Sequence, residues 1–90
     1  MPKVYISCRV LRGQFESEYY VMVNGSAAYY INQSNLIIDV QPEGDEPGRG
    51  SVLGYVVERT SDKTLVQLPG EAVIGGVRTW VENADIRIAA

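Results

Sequence analysis

The sequence predicts an all-β fold built from two similar β-meanders, and three observations carry that reading. Residues 3–10 put Val4, Ile6, Cys8 and Val10 on one parity and Lys3, Tyr5, Ser7 and Arg9 on the other, the period-2 alternation of a half-buried strand. No stretch of the chain repeats its apolar residues with a helical period. Apolar positions also recur in step between residues 1–40 and 51–90, on either side of an acidic Pro/Gly-rich segment at 41–50.

The elements follow in order. After the strand at 3–10, Tyr19 to Val23 combines aromatic and β-branched types that suit a pleated surface. It runs into Asn24-Gly25, a pair that tolerates the positive φ of a tight hairpin, and Ala27 to Ile31 reads as the returning strand. Residues 41–50 hold two prolines, three glycines and four charges, so they offer nothing to bury and lack two ladder donors; they read as a solvated linker. Beyond it, Val52 to Arg59 and Thr64 to Leu68 flank the polar turn Thr60-Ser61-Asp62-Lys63. Pro69 to Gly76 reads as a loop, and Val77 to Val81 as the strand after it.

Setting Gly25 against Gly70 matches Tyr19–Val23 to Thr64–Leu68, and after a five-residue insertion in the second copy Tyr29–Ile38 matches Thr79–Ile88. Tyr30 then falls on Trp80, Ile31 on Val81, Leu36 on Ile86 and Ile38 on Ile88, while Asn32–Asn35 and Glu82–Asp85 form polar breaks of equal length. This order of two antiparallel strands, a third strand, a polar break and a short last strand resembles the end of an SH3-like barrel. The resemblance implies a small SH3-like barrel architecture with a 3₁₀ turn at each break. The breaks lack the proline-serine-asparagine-tyrosine run of peptide-binding SH3 domains, and neither half has their early alanine-leucine-tyrosine segment, so binding of proline-rich peptides is not implied. Units of this size stand near the lower limit of roughly 40 residues for folding alone. The halves are therefore expected to stabilise each other, either as two packed miniature barrels or as one pseudo-symmetric barrel.

Composition narrows the function. With 46% hydrophobic and 21% charged residues and no long apolar run, no membrane contact is expected. Met1-Pro2-Lys3 leads straight into alternation rather than into the apolar core of a signal peptide, and the expected location is the cytoplasm. A single cysteine and no histidine argue against a disulfide framework, a multi-cysteine zinc site and an imidazole base. Cys8 lies on the apolar parity beside Ile6 and Val10, with no histidine to lower its pKa, and reads as core rather than nucleophile. Glu43, Asp45 and Glu46 lack the spaced oxygen ligands of a calcium loop. Gly48-Arg49-Gly50 with Gly54 has the wrong spacing for a dinucleotide fingerprint and precedes a strand rather than a helix. Nothing singles out two of the eleven carboxylates as a hydrolytic pair. No catalytic residue, cofactor or metal is expected.

The aromatic residues say more. The doublets Tyr19-Tyr20 and Tyr29-Tyr30 must send one ring to each face of a strand. A two-residue Asn24-Gly25 turn places Tyr30 with Val21 and Val23, whereas a bulge at Gly25 or the match of Ile31 to an inward barrel position buries Tyr29 instead. Tyr20, Tyr30 and Trp80 are the candidate anchors of an exposed aromatic patch. Val73 and Ile74, in an apolar triplet with Ala72, are expected to fold over an open barrel end or to dock into a partner or a second copy. The expected function is a noncatalytic protein-interaction or assembly module with a protein partner or self-association: an accessory subunit of a larger complex, a virion component or an inhibitor. A net charge of −3 and the lack of adjacent basic residues disfavour nucleic acid. A nucleic-acid-binding β-barrel is nonetheless the alternative, through base stacking beside an electropositive face of Arg9, Arg12, Lys63 and Arg78. A small oligomeric enzyme with its site at a symmetry axis is the second alternative.

Overall fold

Period-2 alternation in β1, Lys3–Arg12, buries Val4, Ile6, Cys8 and Val10 and turns Lys3, Ser7 and Arg9 to the open side, as the sequence predicts. The computed structural model describes residues 2–89; Met1 and Ala90, the outermost residues of the two predicted repeats, lie outside the described residues. Eight further strands follow: β2 Glu18–Val23, β3 Ala27–Asn32, β4 Leu36–Val40, β5 Gly48–Arg59, β6 Lys63–Gln67, β7 Glu71–Ile74, β8 Arg78–Glu82 and β9 Ile86–Ile88. Two 3₁₀ turns, Gln33–Asn35 and Asn83–Asp85, occupy the predicted polar breaks, and no α-helix occurs among the described residues. In the first turn the Asn32 side chain accepts the Ser34 amide at 2.9 Å, satisfying a donor that the short helix leaves over.

The strands form one curled, half-barrel sheet in the order β7-β3-β2-β1-β5-β6-β8, with β4 added to β5 and β9 added to β1. At its centre β1 and β5 run antiparallel from Lys3 opposite Tyr55 to Val10 opposite Gly48. The far end of each long strand starts a hairpin: Val10 faces Val21 in β2, and Val56 faces Val66 in β6. Tyr19 then faces Ile31, and Thr64 faces Val81. The last strand of each half crosses to the other half, Leu36 of β4 lying opposite Val52 and Ile86 of β9 opposite Ile6. The curl encloses a single core, rich in β-branched residues from both halves, with Val4, Ile6, Val21, Tyr29, Ile31 and Val52 among its fully buried members. Thr64 joins this core because its hydroxyl donates to the Asn83 Oδ1 at 2.6 Å.

The structure departs from the sequence reading in three places. Residues 41–50 are not all solvated linker. Glu43 and Glu46 exchange backbone hydrogen bonds in a tight turn, Pro42 is buried, and β5 begins at Gly48. The glycines make this start possible, since a Cβ at Gly48 would collide with the Val40 carbonyl oxygen and one at Gly50 with that of Ile37. Secondly, Pro69–Gly76 is not all loop: β7 pairs with β3, Glu71 lying opposite Tyr30 and Ala72 opposite Tyr29. Two left-handed glycines, Gly75 at φ 89° and Gly76 at φ 76°, then turn the chain toward β8. Thirdly, the open question of register resolves through a three-residue connection, with Val23 opposite Ala27, so that Tyr19 and Tyr29 are buried while Tyr20 and Tyr30 turn outward.

Because each half lends its last strand to the other, neither closes its own sheet. A chain divided between Gly44 and Asp45 is expected to give two fragments with little strand signal in far-UV circular dichroism, which regain it on mixing. A folded spectrum from either fragment alone would contradict this. Gly50→Ala, forcing β4 off β5, is expected to cost at least about 2 kcal/mol in urea unfolding.

Candidate functional site

The parity that buries Val4 and Ile6 leaves the opposite face of the sheet to be built from Tyr5, Ser7 and Arg9 of β1 and their direct neighbours. Across β5, Ser7 stands opposite Ser51 and Arg9 opposite Arg49. Across β2 and β3, the same row continues from Arg9 to Met22 and then to Ala28, and Ile74 of β7 completes it. An open cleft of about 990 Å³ runs over this face, with Met22, Ala28, Ile74, Tyr20 and Asp85 on the side of β1 that β2 and β9 occupy, Ser7, Arg9, Arg49 and Ser51 on the floor, and Asp39 and Val40 of β4 beyond β5.

Arg9 and Arg49 form a pair that folding alone does not favour. Directly opposed residues of an antiparallel ladder carry Cβ atoms about 4.5–5.5 Å apart, and like charges there are destabilising by a few tenths to about 1 kcal/mol. Neither guanidinium has a compensating carboxylate: among the described residues the one ion pair is Lys63–Glu82, at 4.0 Å and exposed. Gly48 and Gly50 fix Arg49 in this position, because they occupy the parity over which β4 crosses and leave Arg49 the open side. Arg87 adds a third cation. It faces Tyr5 across β1–β9, its guanidinium carbon 5.8 Å from the Tyr5 ring centroid, and its Nη2 donates to the buried Ser51 Oγ at 3.2 Å. That bond carries Arg87 over β1 to the row beside the Arg9–Arg49 pair.

The predicted candidates separate. Tyr20 lines the cleft, and Tyr30 supports it from the neighbouring strand in an edge-to-face contact with centroids 5.6 Å apart. Ile74 lines the cleft as well and is 54% exposed; Val73, 48% exposed, is on the same edge strand but not among the lining residues. Ala72 turns inward against the core, so the apolar triplet docks on its own chain through β3 while Val73 and Ile74 stay accessible. Trp80 is elsewhere. It faces Leu65 on the outer side of β8, beside a shallow hollow with Thr60 and Lys63, and its carbonyl accepts from the Asn24 side chain at 2.6 Å. The four-residue basic face does not assemble: Arg12 lies over Tyr19, Arg78 bonds Gln67 and Lys63 pairs with Glu82, so that only Arg9 enters the cleft. Sequence reasoning missed Arg49 and Arg87. The signal for the first was the glycine on either side of it, and for the second the alternation Ile86-Arg87-Ile88.

Cys8 is buried, as predicted, and burial, with a smaller contribution from the nearby Asp39 carboxylate, pushes its thiol up to about 12. The folded chain therefore holds a protonated, weakly nucleophilic thiol. Among the described residues no group of three or more His, Cys, Asp or Glu side chains comes together to hold a metal ion, and no helix is long and apolar enough to cross a membrane. Comparison of the chain with protein-family models, with curated proteins and with solved structures finds no match.

Thiol reagents are expected to modify Cys8 slowly in the folded protein, at a rate that rises in step with unfolding; rapid stoichiometric labelling without denaturant would place the thiol outside the core. The raised pKa also sets a direction with pH. The protonated thiol supports the fold below its ordinary pKa of 9.0, and that support is withdrawn as the pH climbs toward about 12.

Proposed function

We propose that this chain is a noncatalytic binding module for a protein partner, and that the cleft over β1 and β5 is its contact surface. The observation that carries the reading is the Arg9–Arg49 pair, opposed in the ladder without a carboxylate within 4 Å among the described residues and flanked by Tyr20, Met22 and Ile74. An arrangement that costs folding free energy and leaves two guanidiniums unpaired beside apolar surface suits a partner that supplies the missing negative charge. Arginine and tyrosine are also the side chains most often found at the energetic centre of protein interfaces. Val73 and Ile74 extend the same flank and would widen the contact, to a partner or to a second copy.

We further propose that the two halves are tandem copies of one SH3-like meander that exchange their last strands. Matching register supports this: Val10–Val21 corresponds to Val56–Val66, Tyr19–Ile31 to Thr64–Val81, and Ile6–Ile86 to Val52–Leu36.

A second reading, a surface for single-stranded nucleic acid, draws on the same arginines beside Tyr20. It is weaker because Asp39 and Asp85 share the cleft, and an extended phosphate backbone would meet them both.

Immobilised wild-type chain and the Arg9→Gln/Arg49→Gln variant separate these readings. The wild type is expected to retain a partner protein from its source cells that the variant, with an unchanged circular dichroism spectrum, loses by about tenfold or more. Equal retention by both removes the cleft from the interface. Retention abolished by nuclease favours the nucleic-acid reading.

A further inference from the structure

Resting on the binding-module reading, we propose that the group this cleft takes from its partner is a phosphate monoester on a protein side chain. The argument starts from the donors. Arg9, Arg49 and Arg87 come from three different strands; register puts Arg9 and Arg49 in one row and Arg87 beside Tyr5 two rows away, from where its side chain reaches Ser51 in the row between. Ser7 and Ser51 stand opposite each other in the row beside the Arg9–Arg49 pair. Ser51 is 6% exposed and its oxygen already accepts from Arg87, which leaves its O–H to donate. Every polar side chain on the floor is thus a donor or able to act as one, which defines a site for an oxyanion.

The number and charge of these donors select among oxyanions. A carboxylate presents two oxygens and one charge, and a single guanidinium engages both oxygens in a bidentate pair. A phosphate monoester presents three strong acceptor oxygens and about −1.5 to −2 charges near pH 7, which matches opposed arginines with a third beside them. Asp39 and Asp85 set the geometry of access. They line the cleft without pairing to the guanidiniums, so an elongated polyanion laid along it meets both carboxylates, while a compact dianion makes its closest contacts with the arginines. The flank of Tyr20, Met22 and Ile74 gives the carrier of the phosphate an apolar surface to lie on. The cleft is an open groove across a sheet rather than an enclosed chamber, which suits a group presented by a larger surface over a free metabolite.

The test is a titration of the ¹⁵N-labelled full chain at low salt, followed by amide chemical shifts, with four probes: N-acetyl-phosphotyrosine amide, N-acetyl-phosphoserine amide, N-acetyl-glutamate amide and adenosine monophosphate. Saturable shifts are expected from at least one phosphoamino acid, concentrated at Ser7, Arg9, Arg49, Ser51 and Arg87, with the glutamate probe weaker by at least about tenfold. Arg49→Gln is expected to weaken the phosphoamino acid by a similar factor, and Arg12→Gln, outside the cleft, to leave it unchanged. The proposal is overturned by the absence of saturable shifts, by equal binding of the glutamate probe, by tighter binding of adenosine monophosphate, or by an Arg49→Gln chain that binds as the wild type does. Its failure is distinct from failure of the binding-module reading. A chain that retains its partner through Arg9 and Arg49 yet ignores both phosphoamino acids keeps the first and loses the second.

Discussion

The β1–β5 ladder is the constraint on which the rest of the molecule depends. Its pairing from Lys3–Tyr55 to Val10–Gly48 aligns the two longest of the described strands, and every other described element is attached to one of them or to a hairpin that grows from one. Because the side-chain period of a strand is two, that one register settles both faces at once. Val4, Ile6 and Val10 go to the core opposite Gly54, Val52 and Gly48, and Ser7 and Arg9 go to the open face opposite Ser51 and Arg49. A slip of one residue would bury the arginines and expose the valines, so the core that stabilises the fold also holds the cleft's arginines in opposition.

Much of this was legible in the sequence because alternation leaves a direct trace. Strands 1, 2, 3, 6 and 8, the two polar breaks and the burial of Cys8 follow from local pattern, whereas the 3₁₀ form of the breaks and an inward Ile31 were expected only from the resemblance to an SH3-like barrel. β7 was not legible, since Ala72-Val73-Ile74 is too short to show a period, lies between glycines and becomes a strand only because the edge of β3 offers it hydrogen bonds. The start of β5 was hidden for the opposite reason. Gly48-Arg49-Gly50 has the composition of a turn, yet the crossing of β4 requires glycine there and leaves the backbone free to stay extended. The cleft was illegible as a whole, because its arginines stand at 9, 49 and 87, and only the long-range pairings of β1 with β5 and β9 bring them to one face. The tyrosine doublets showed that some rings face outward but not which; three residues between Val23 and Ala27, rather than two, decided it.

The departures from local preference concentrate on the open face. The core obeys the ordinary rules: β-branched side chains inside, Thr64 satisfied by Asn83, glycines where backbones cross. Tyr29 is the one buried exception among the described residues, its hydroxyl fully enclosed without a protein partner, and its pKa is raised by that burial. On the open side, opposed arginines, unpaired acids and accessible Ile74 occur together in one cleft. Such conflicts gathered at one place, in a chain otherwise consistent from propensity to packing, are the physical mark of a surface shaped by something other than stability.

The placement of β9 has a consequence for synthesis. Val4 to Ile6 receive Ile88 to Ile86 as their neighbours, so this edge of β1 is completed only after all the strands between them have been made. Until then the edge of β1 that β9 will cover presents free backbone amides and carbonyls beside Val4 and Ile6, the kind of edge at which unfinished chains add to one another. Pairings this distant in sequence also slow folding, since loop closure must precede any reward from the contacts. The nascent chain therefore depends on the quick local hairpins, β2–β3 and β4–β5, to cover apolar surface while β1 waits for its partner.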